Sequence, residues 1–144
     1  MNVSLENLLS EGLIEAFETT QNLVEQTLDS SKKDLKTART VFETGNYDWT
    51  LAIAYNSMLQ AGRALMFRFG YRPKGEYKHL AVVKFAAEKL RDRGSSLVKL
   101  FNKARKRRHM VVYELRETVS KSEAETAVNC AESFLSEITK AIQK

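Results

Sequence analysis

The sequence predicts an all-α protein, an up-and-down bundle of four to five helices with short additional helices. Apolar residues recur along most of the chain at the spacing of helices that bury one face. No segment alternates strictly between apolar and polar residues over a useful length, so we predict no β-sheet. The 144 residues include one Pro and six Gly, which permits long uninterrupted helices. We expect one domain over residues 1–144, with residues 1–18 as an N-terminal extension.

Two helices are predicted at the start of the chain. A short helix within residues 4–18 is capped by Ser4 and broken at Gly12. The first long helix extends from about residue 19 to residue 44, because its apolar residues follow one helical stripe. Gly45 then ends this helix.

The middle of the chain predicts a buried helix followed by a turn and a third long helix. Residues 47–69 are apolar on nearly every side, which is typical of a helix packed among others, and Asp48 is the expected N-cap. Residues 70–75 carry the clearest turn signal in the sequence. The third helix is predicted over residues 76–90.

The last two predicted helices include the most basic segment of the chain. A basic helix is expected to begin with Ser95 as its cap and to end near Arg116 or Glu117. After a short loop, Ser122 and Glu125 fit a capping box at the start of the final helix.

Composition excludes several classes of protein. The apolar fraction of 43% is ordinary for a soluble fold, and no run approaches the ~18 apolar residues of a membrane span. The first residues show no secretory signal. Cys130 is the single cysteine and forms no internal disulfide, so we expect a reducing, cytoplasmic location and an inert core thiol. His79 and His109 have no Cys or carboxylate at a ligand spacing, so we expect no metal and no cofactor.

Residues 99–108 contain the most informative side chain of the sequence. Six of these ten residues are Lys or Arg, within a net charge of +5. On a helical wheel most of the cations lie outside the apolar arc, but Arg108 lies inside it. The arc contains Leu97, Leu100, Phe101, Ala104, Val111, Val112 and Leu115. Because a buried guanidinium is costly when unpaired, Arg108 either forms an internal tie to an acid or amide, or faces a cleft that accepts phosphate.

Other polar residues are predicted to accompany Arg108. Arg105, His109 and Tyr113 follow one another at four-residue spacing and form a ridge beside it. Polar groups of the buried helix are expected to face Arg108 across the bundle. His79 is expected either to join them or to have a capping or packing role. The candidate phosphate- or nucleotide-binding residues are therefore Arg105, Arg108, Tyr55, Asn56, Asp48 and His79.

Several short segments, taken in order, resemble a known family. They are residues 45–49 (Gly-Asn-Tyr-Asp-Trp), 52–58 (Ala-Ile-Ala-Tyr-Asn-Ser-Met), 61–65 (Ala-Gly-Arg-Ala-Leu), 70–74 (Gly-Tyr-Arg-Pro-Lys), His79, 108–114 (Arg-His-Met-Val-Val-Tyr-Glu) and an Ala-rich last helix ending at 134–135. This series resembles the HEPN family (higher eukaryotes and prokaryotes nucleotide-binding domain), and in particular its small stand-alone prokaryotic branch. The resemblance covers residues 20–142.

The resemblance implies a helical bundle that forms a homodimer, with a positively lined cleft near the dimer interface. Many HEPN proteins are metal-independent ribonuclease toxins, often paired with a nucleotidyltransferase antitoxin. Their motif is Arg, a polar residue and then His after four to six intervening residues. On this chain Arg108 takes the Arg place and His109 the polar place, while Tyr113 stands where the catalytic His is expected.

The resemblance and the residues leave three functions open. The first is binding of nucleotide or RNA phosphate through the basic-helix cleft, with a nucleotidyltransferase as partner. The second is a metal-independent ribonuclease toxin of a toxin–antitoxin pair, with Arg108, His109 and Tyr113 as catalytic residues. Tyr has a reference pKa of about 10 and is a poor base at neutral pH, so the motif does not distinguish a ribonuclease from a protein that only binds RNA. The third is a scaffolding dimer without catalysis.

Overall fold

The computed structural model describes residues 4–114 and 117–143. Over these ranges the helices and strands are α1 (Leu5–Ser10), β1 (Ile14–Ala16), α2 (Gln21–Glu43), α3 (Tyr47–Arg68), β2 (Tyr71–Pro73), α4 (Lys78–Leu90), α5 (Ser95–Tyr113) and α6 (Lys121–Gln143), with a 3₁₀ turn Arg91–Arg93 between α4 and α5. The prediction of an all-α helical bundle is confirmed. In the described part of the chain, none of the helices has both the length and the apolar character needed to cross a membrane.

Helix α3 is the centre of the bundle, as its apolar sequence predicts. It packs against α2, α4, α5 and α6, and residues on all of its faces are buried. Its approach to α4 is close because Gly62 has no side chain: a Cβ at that position would overlap Cγ1 of Val82. This packing sets the position of the first turn of α4, which carries His79.

An aromatic cluster joins α3, α5 and α6 in the core. The Phe101 ring lies 5.7 Å from the Tyr55 ring and 4.8 Å from the Phe134 ring, measured between centroids. All three side chains are fully buried. Phe101 therefore fixes the inner face of α5 against the helix that carries Tyr55.

The prediction that the chain contains no sheet is wrong in one detail. Strands β1 and β2 pair antiparallel, with Ile14 opposite Pro73, Glu15 opposite Arg72 and Ala16 opposite Tyr71. Each strand has three residues, which is too short for an alternating pattern to be recognised. The second strand also lies inside the segment predicted as a turn.

Helix ends were predicted less well than the helices themselves. The prediction for Ser4 is confirmed, since its Oγ accepts a hydrogen bond from the backbone N–H of Asn7 at 3.1 Å. Ser95 is the first residue of α5 and Gly94 occupies the cap position, so the predicted Ser95 cap is wrong. The prediction of a capping box at Ser122 and Glu125 is wrong: Ser120, two residues earlier, caps α6, because its Oγ accepts from the N–H of Glu123 at 3.0 Å, and the Glu123 carboxylate pairs with Arg107.

Asp48 was predicted to cap α3, and this is also wrong. Asn46 occupies the cap position, and its side chain makes no capping hydrogen bond. The carboxylate of Asp48 instead accepts hydrogen bonds from the backbone N–H groups of Glu117 and Val119, in the segment that leads into α6. Asp48 thus fixes the return of the chain from α5.

The C-terminal end of the basic helix differs from its prediction. Helix α5 ends at Tyr113, and Glu117 has a positive φ of 60°, which excludes it from a helix. The alternative predicted end, Arg116, lies outside the described residues, as does Leu115 of the predicted apolar arc.

Candidate functional site

Arg108 lies on the inner side of α5, between the buried residues Phe101 and Val111, and its own side chain is partly buried. Within residues 4–114 and 117–143 its guanidinium has no hydrogen bond or ion pair. The internal tie considered from the sequence is therefore not formed between these residues. The cation retains all five N–H donors for another partner.

A partly buried hydrogen bond links Tyr55 on α3 to His79 on α4. The Tyr55 Oη and His79 Nδ1 atoms are 3.0 Å apart, and Tyr55 is only 1% exposed. Burial raises the pKa of Tyr55 to about 12, although the charges of Arg105 and Arg108 act to lower it. The phenol therefore keeps its proton at neutral pH, and its O–H donates a hydrogen bond to Nδ1 when the His79 ring carries its proton on Nε2.

The same environment keeps the His79 imidazole neutral. Burial lowers the pKa of His79 below its usual range, because the charged ring is poorly solvated there. The positive charges of Arg108, Arg105 and Arg63, in that order, lower this pKa further. With Nδ1 accepting from Tyr55, the single ring proton resides on Nε2, so His79 offers an N–H donor on its other edge.

The positive charges of three arginines, two on α5 and one on α3, act on the His79 ring. Arg105 donates from Nε to Asn102 Oδ1 at 3.0 Å, which orients its guanidinium along α5. Arg63 on α3 donates from Nη1 to Gln60 Oε1 at 3.2 Å. Neither bond neutralises a charge, so the positive charge around His79 makes this region a candidate site for an anion.

Of the six residues predicted to bind phosphate or nucleotide, the structure brings together Tyr55, His79, Arg105 and Arg108. The other candidates are engaged elsewhere. Asn56 donates to Asp34 Oδ2 on α2 at 2.8 Å, while Asp48 holds the segment before α6.

The two motif residues that follow Arg108 lie on the outer side of α5. His109 and Tyr113 are exposed neighbours with ring centroids 4.8 Å apart, as their four-residue spacing predicts. Tyr113 is 66% exposed. Their rings pack against each other, whereas the partly buried Tyr55–His79 pair lies on α3 and α4.

Beside His79 lies a groove that sequence reasoning missed, which we call the strand-pair groove. It has a volume of about 680 Å³ and is lined by Glu15, Phe17, Leu23, Leu59, Arg63, Phe67, Arg72, Pro73, Lys74, Gly75, Lys78, His79 and Val82. The four-residue spacing of Tyr55, Leu59 and Arg63 was a signal for one part of it, since these residues share a ridge of α3. Its other side depends on the pairing of β1 with β2, which no local pattern revealed.

The described residues contain no group of three or more His, Cys, Asp or Glu side chains placed to hold a metal ion. The candidate site contains the cations Arg105 and Arg108 and the neutral pair Tyr55–His79, a composition suited to an anion.

An all-α bundle that collects cations around a neutral imidazole is a helical protein with a candidate anion site. Comparison with known families agrees with the helical fold. The HEPN domain model matches residues 24–142, which is most of the chain. The chain belongs to the HEPN domain family, and this membership indicates a nucleotide- or RNA-related function in general terms. No curated protein matches the chain at a significant level.

The lowered pKa of His79 predicts how stability depends on pH. Below about pH 6.5 the unfolded chain takes up a proton that the folded imidazole resists, so unfolding is favoured as the pH falls. We expect the free energy of unfolding to decrease from pH 7.5 to pH 5.5 in the wild type, and to decrease less in His79→Gln. Urea denaturation across this range measures the difference.

His109→Gln is the matched control, because it removes an exposed imidazole from the same protein. This variant should keep the wild-type pH dependence. A His79→Gln profile parallel to the wild type would show that His79 titrates normally in the folded protein.

Proposed function

We propose that this HEPN protein binds the phosphate groups of nucleotide or RNA through the cleft beside α5, with Arg108, Arg105 and His79 as the phosphate ligands. The observation that carries the proposal is the partly buried guanidinium of Arg108, which has no carboxylate partner among the described residues. A phosphate oxygen supplies the missing charge and accepts hydrogen bonds from the guanidinium and from His79 Nε2–H. Tyr55 is a positioning residue in this proposal, because its hydroxyl fixes the tautomer of His79.

Binding of a short fluorescent single-stranded RNA, followed by anisotropy at several salt concentrations, tests this proposal. Arg108→Gln should weaken binding at least about tenfold, since a hydrogen bond to a charged group contributes about 1.5–3 kcal/mol. The slope of log K against log salt should become shallower by about 0.7 for each phosphate that the variant no longer neutralises.

Arg39→Gln is the control for a simple loss of charge. Arg39 is exposed on α2 and pairs with Glu132 of α6, so its removal should change the affinity little. Wild-type affinity and salt dependence in Arg108→Gln would overturn the proposal and favour the scaffolding dimer.

A ribonuclease toxin is the second candidate, and the exposed pair His109–Tyr113 next to Arg108 favours it. In this reading His109 acts as the base, Tyr113 stands in the motif position, and Arg108 stabilises charge on the phosphorane. The RNA used for the binding experiment also distinguishes binding from cleavage. If the wild type cleaves it in the presence of EDTA and His109→Gln does not, the protein is a ribonuclease. If the RNA stays intact, the protein only binds it.

The proposed homodimer has a suitable surface at the start of α3 and the end of α5. Trp49 is 62% exposed, and Met110 and Tyr113 are exposed on the neighbouring helix. A depression lined by Asp48 and by the apolar residues Trp49, Ala52, Val111 and Val112 lies between the two helices. Large apolar side chains exposed in one region are typical of an interaction surface. The proposal of a nucleotidyltransferase partner rests on family resemblance alone.

A further inference from the structure

The strand-pair groove carries a second concentration of cations, apart from those of α5. It lies between the β1–β2 pair, the first turn of α2, the C-terminal half of α3 and the N-terminal half of α4. Three of its lining residues, Glu15, Phe17 and Leu23, precede the segment that the HEPN domain model matches, which begins at residue 24. Membership of the family therefore does not account for this groove.

The groove offers positive charge that the protein itself does not neutralise. Its exposed cations are Arg72, Lys74 and Lys78, and its single carboxylate is that of Glu15. Three cations less one carboxylate leave a charge of +2. Arg63 also lines the groove, but its charge acts on the imidazole described above. Lys78 has no ion pair within residues 4–114 and 117–143.

The chain itself shows that these cations bind a carboxylate. Arg72 Nε lies 2.6 Å from Glu15 Oε1, and Lys74 Nζ lies 3.9 Å from Glu15 Oε2. Among the described residues, the Nη groups of Arg72 have no further hydrogen bond. The side chain of Lys74 is 55% exposed, and its pair with Glu15 is long. Both cations therefore keep donors for the carboxylates of another molecule.

These cations are held in place before a partner arrives. The backbone N–H of Lys74 donates to the carbonyl oxygen of Leu13 at 2.8 Å. The guanidinium carbon of Arg72 lies 4.6 Å from the centre of the Phe17 ring, a cation–π interaction. A surface that is ordered in this way loses less entropy when it binds.

The spacing of the cations fits an extended peptide. Residues two apart on a strand point to the same face and lie roughly 7 Å from each other. Arg72 and Lys74 have this relation at the end of β2. Acidic side chains at alternate positions of an extended segment have the same repeat, so two of them match the two cations. The partly buried Phe17, Leu23 and Pro73 provide apolar surface for the aliphatic stems of these side chains.

The exposed part of Glu15 favours a peptide over nucleic acid as the occupant. The Glu15 side chain is 33% exposed in the groove, so it repels a backbone that carries a phosphate at every residue. A peptide also has backbone N–H groups, and a carboxylate accepts hydrogen bonds from them. Leu59 and Val82 are only 7% and 1% exposed, so they leave no slot for the ring of a small ligand.

We propose that the strand-pair groove is a docking surface for an extended acidic segment of a partner protein. Arg72 and Lys74 bind carboxylates at alternate positions of this segment, and Lys78 binds a further one. The docking does not depend on the RNA binding proposed for the α5 site, because none of these three cations belongs to that site.

Fluorescence anisotropy of the full chain with two labelled ten-residue peptides tests the proposal. In the first peptide Glu alternates with Thr, and in the second the same five Glu residues form one block. The alternating peptide should bind at least about threefold more tightly at low salt. Lys74→Gln/Lys78→Gln should weaken its binding about three- to tenfold, since each exposed ion pair contributes only a small factor.

Lys32→Gln/Lys33→Gln is the matched control, because it removes two lysines from the exposed side of α2. It should bind the alternating peptide like the wild type. Lys74→Glu/Lys78→Glu should lose the acidic peptide and bind instead a peptide in which Lys replaces every Glu, which would show that the charges meet directly. Thermal unfolding of every variant confirms that the fold is retained.

Three results would each overturn the inference. They are no measurable binding of the alternating peptide, equal affinity for the two peptides, and an equal loss of affinity in the α2 control. If the groove instead holds RNA, Lys74→Gln/Lys78→Gln weakens RNA binding as much as Arg108→Gln does and leaves the peptide affinity unchanged, which also overturns it. RNA binding that Lys74→Gln/Lys78→Gln retains leaves the α5 proposal intact in every case.

Discussion

Replacing Phe101 with Ala is expected to lower the free energy of unfolding by about 3–5 kcal/mol. The Phe101 side chain is completely buried and packs against Tyr55 of α3 and Phe134 of α6. Its removal leaves a cavity where three helices meet, and helices packed on several sides relax little into such a space. Urea denaturation followed by far-ultraviolet circular dichroism measures the change.

Leu100→Ala is the control for this substitution. Leu100 is the preceding residue of α5 and is 36% exposed, so its truncation should cost much less than that of Phe101. If both variants lowered stability by the same small amount, Phe101 would not have the structural importance that its packing indicates. Phe101→Ala also removes the ring that packs against Tyr55. Because the variant is less stable, binding to it has to be measured at temperatures well below its unfolding transition.

The second large effect is expected from Gly62→Ala, which should lower the free energy of unfolding by about 1–3 kcal/mol. In an exposed helix this change would stabilise the protein by roughly 1 kcal/mol, because Ala is the better helix former. Here the added methyl group overlaps Cγ1 of Val82, so α3 and α4 have to move apart. The sign of the change measured by urea denaturation therefore decides between helix propensity and packing.

A double-mutant cycle tests the proposed cause of this effect. Val82→Ala removes the atom that the new methyl group would meet, so Gly62→Ala should cost less in a Val82→Ala background than in the wild type. Equal costs in the two backgrounds would show that the overlap with Val82 is not the source of the destabilisation.

The helices could be predicted from the sequence because helical periodicity is a local property. The unusual position of Arg108 on the apolar side of α5 was visible for the same reason, and the structure shows that its side chain is partly buried. The Tyr55–His79 hydrogen bond was not predictable, since it joins two helices whose relative rotation depends on the packing of Gly62 against Val82. Both residues were recognised as candidates without the link between them.

The strand-pair groove illustrates the same limit more strongly. The sequence predicts that Arg72 and Lys74 belong to a turn. It predicts that Glu15 and Phe17 belong to an N-terminal extension. The pairing of β1 with β2 joins residues almost sixty positions apart in the chain, and only then do these side chains share a surface. Asp48 was misjudged for a related reason, because its partners at residues 117 and 119 are distant in sequence.

The arginines that lower the pKa of His79 also link any anion near them to the proton on this ring. An anion bound on the α5 side would offset part of their charge, so the imidazole would take up a proton more readily in the complex than in the free protein. By linkage, such an anion would bind more tightly as the pH falls towards the ordinary pKa of histidine.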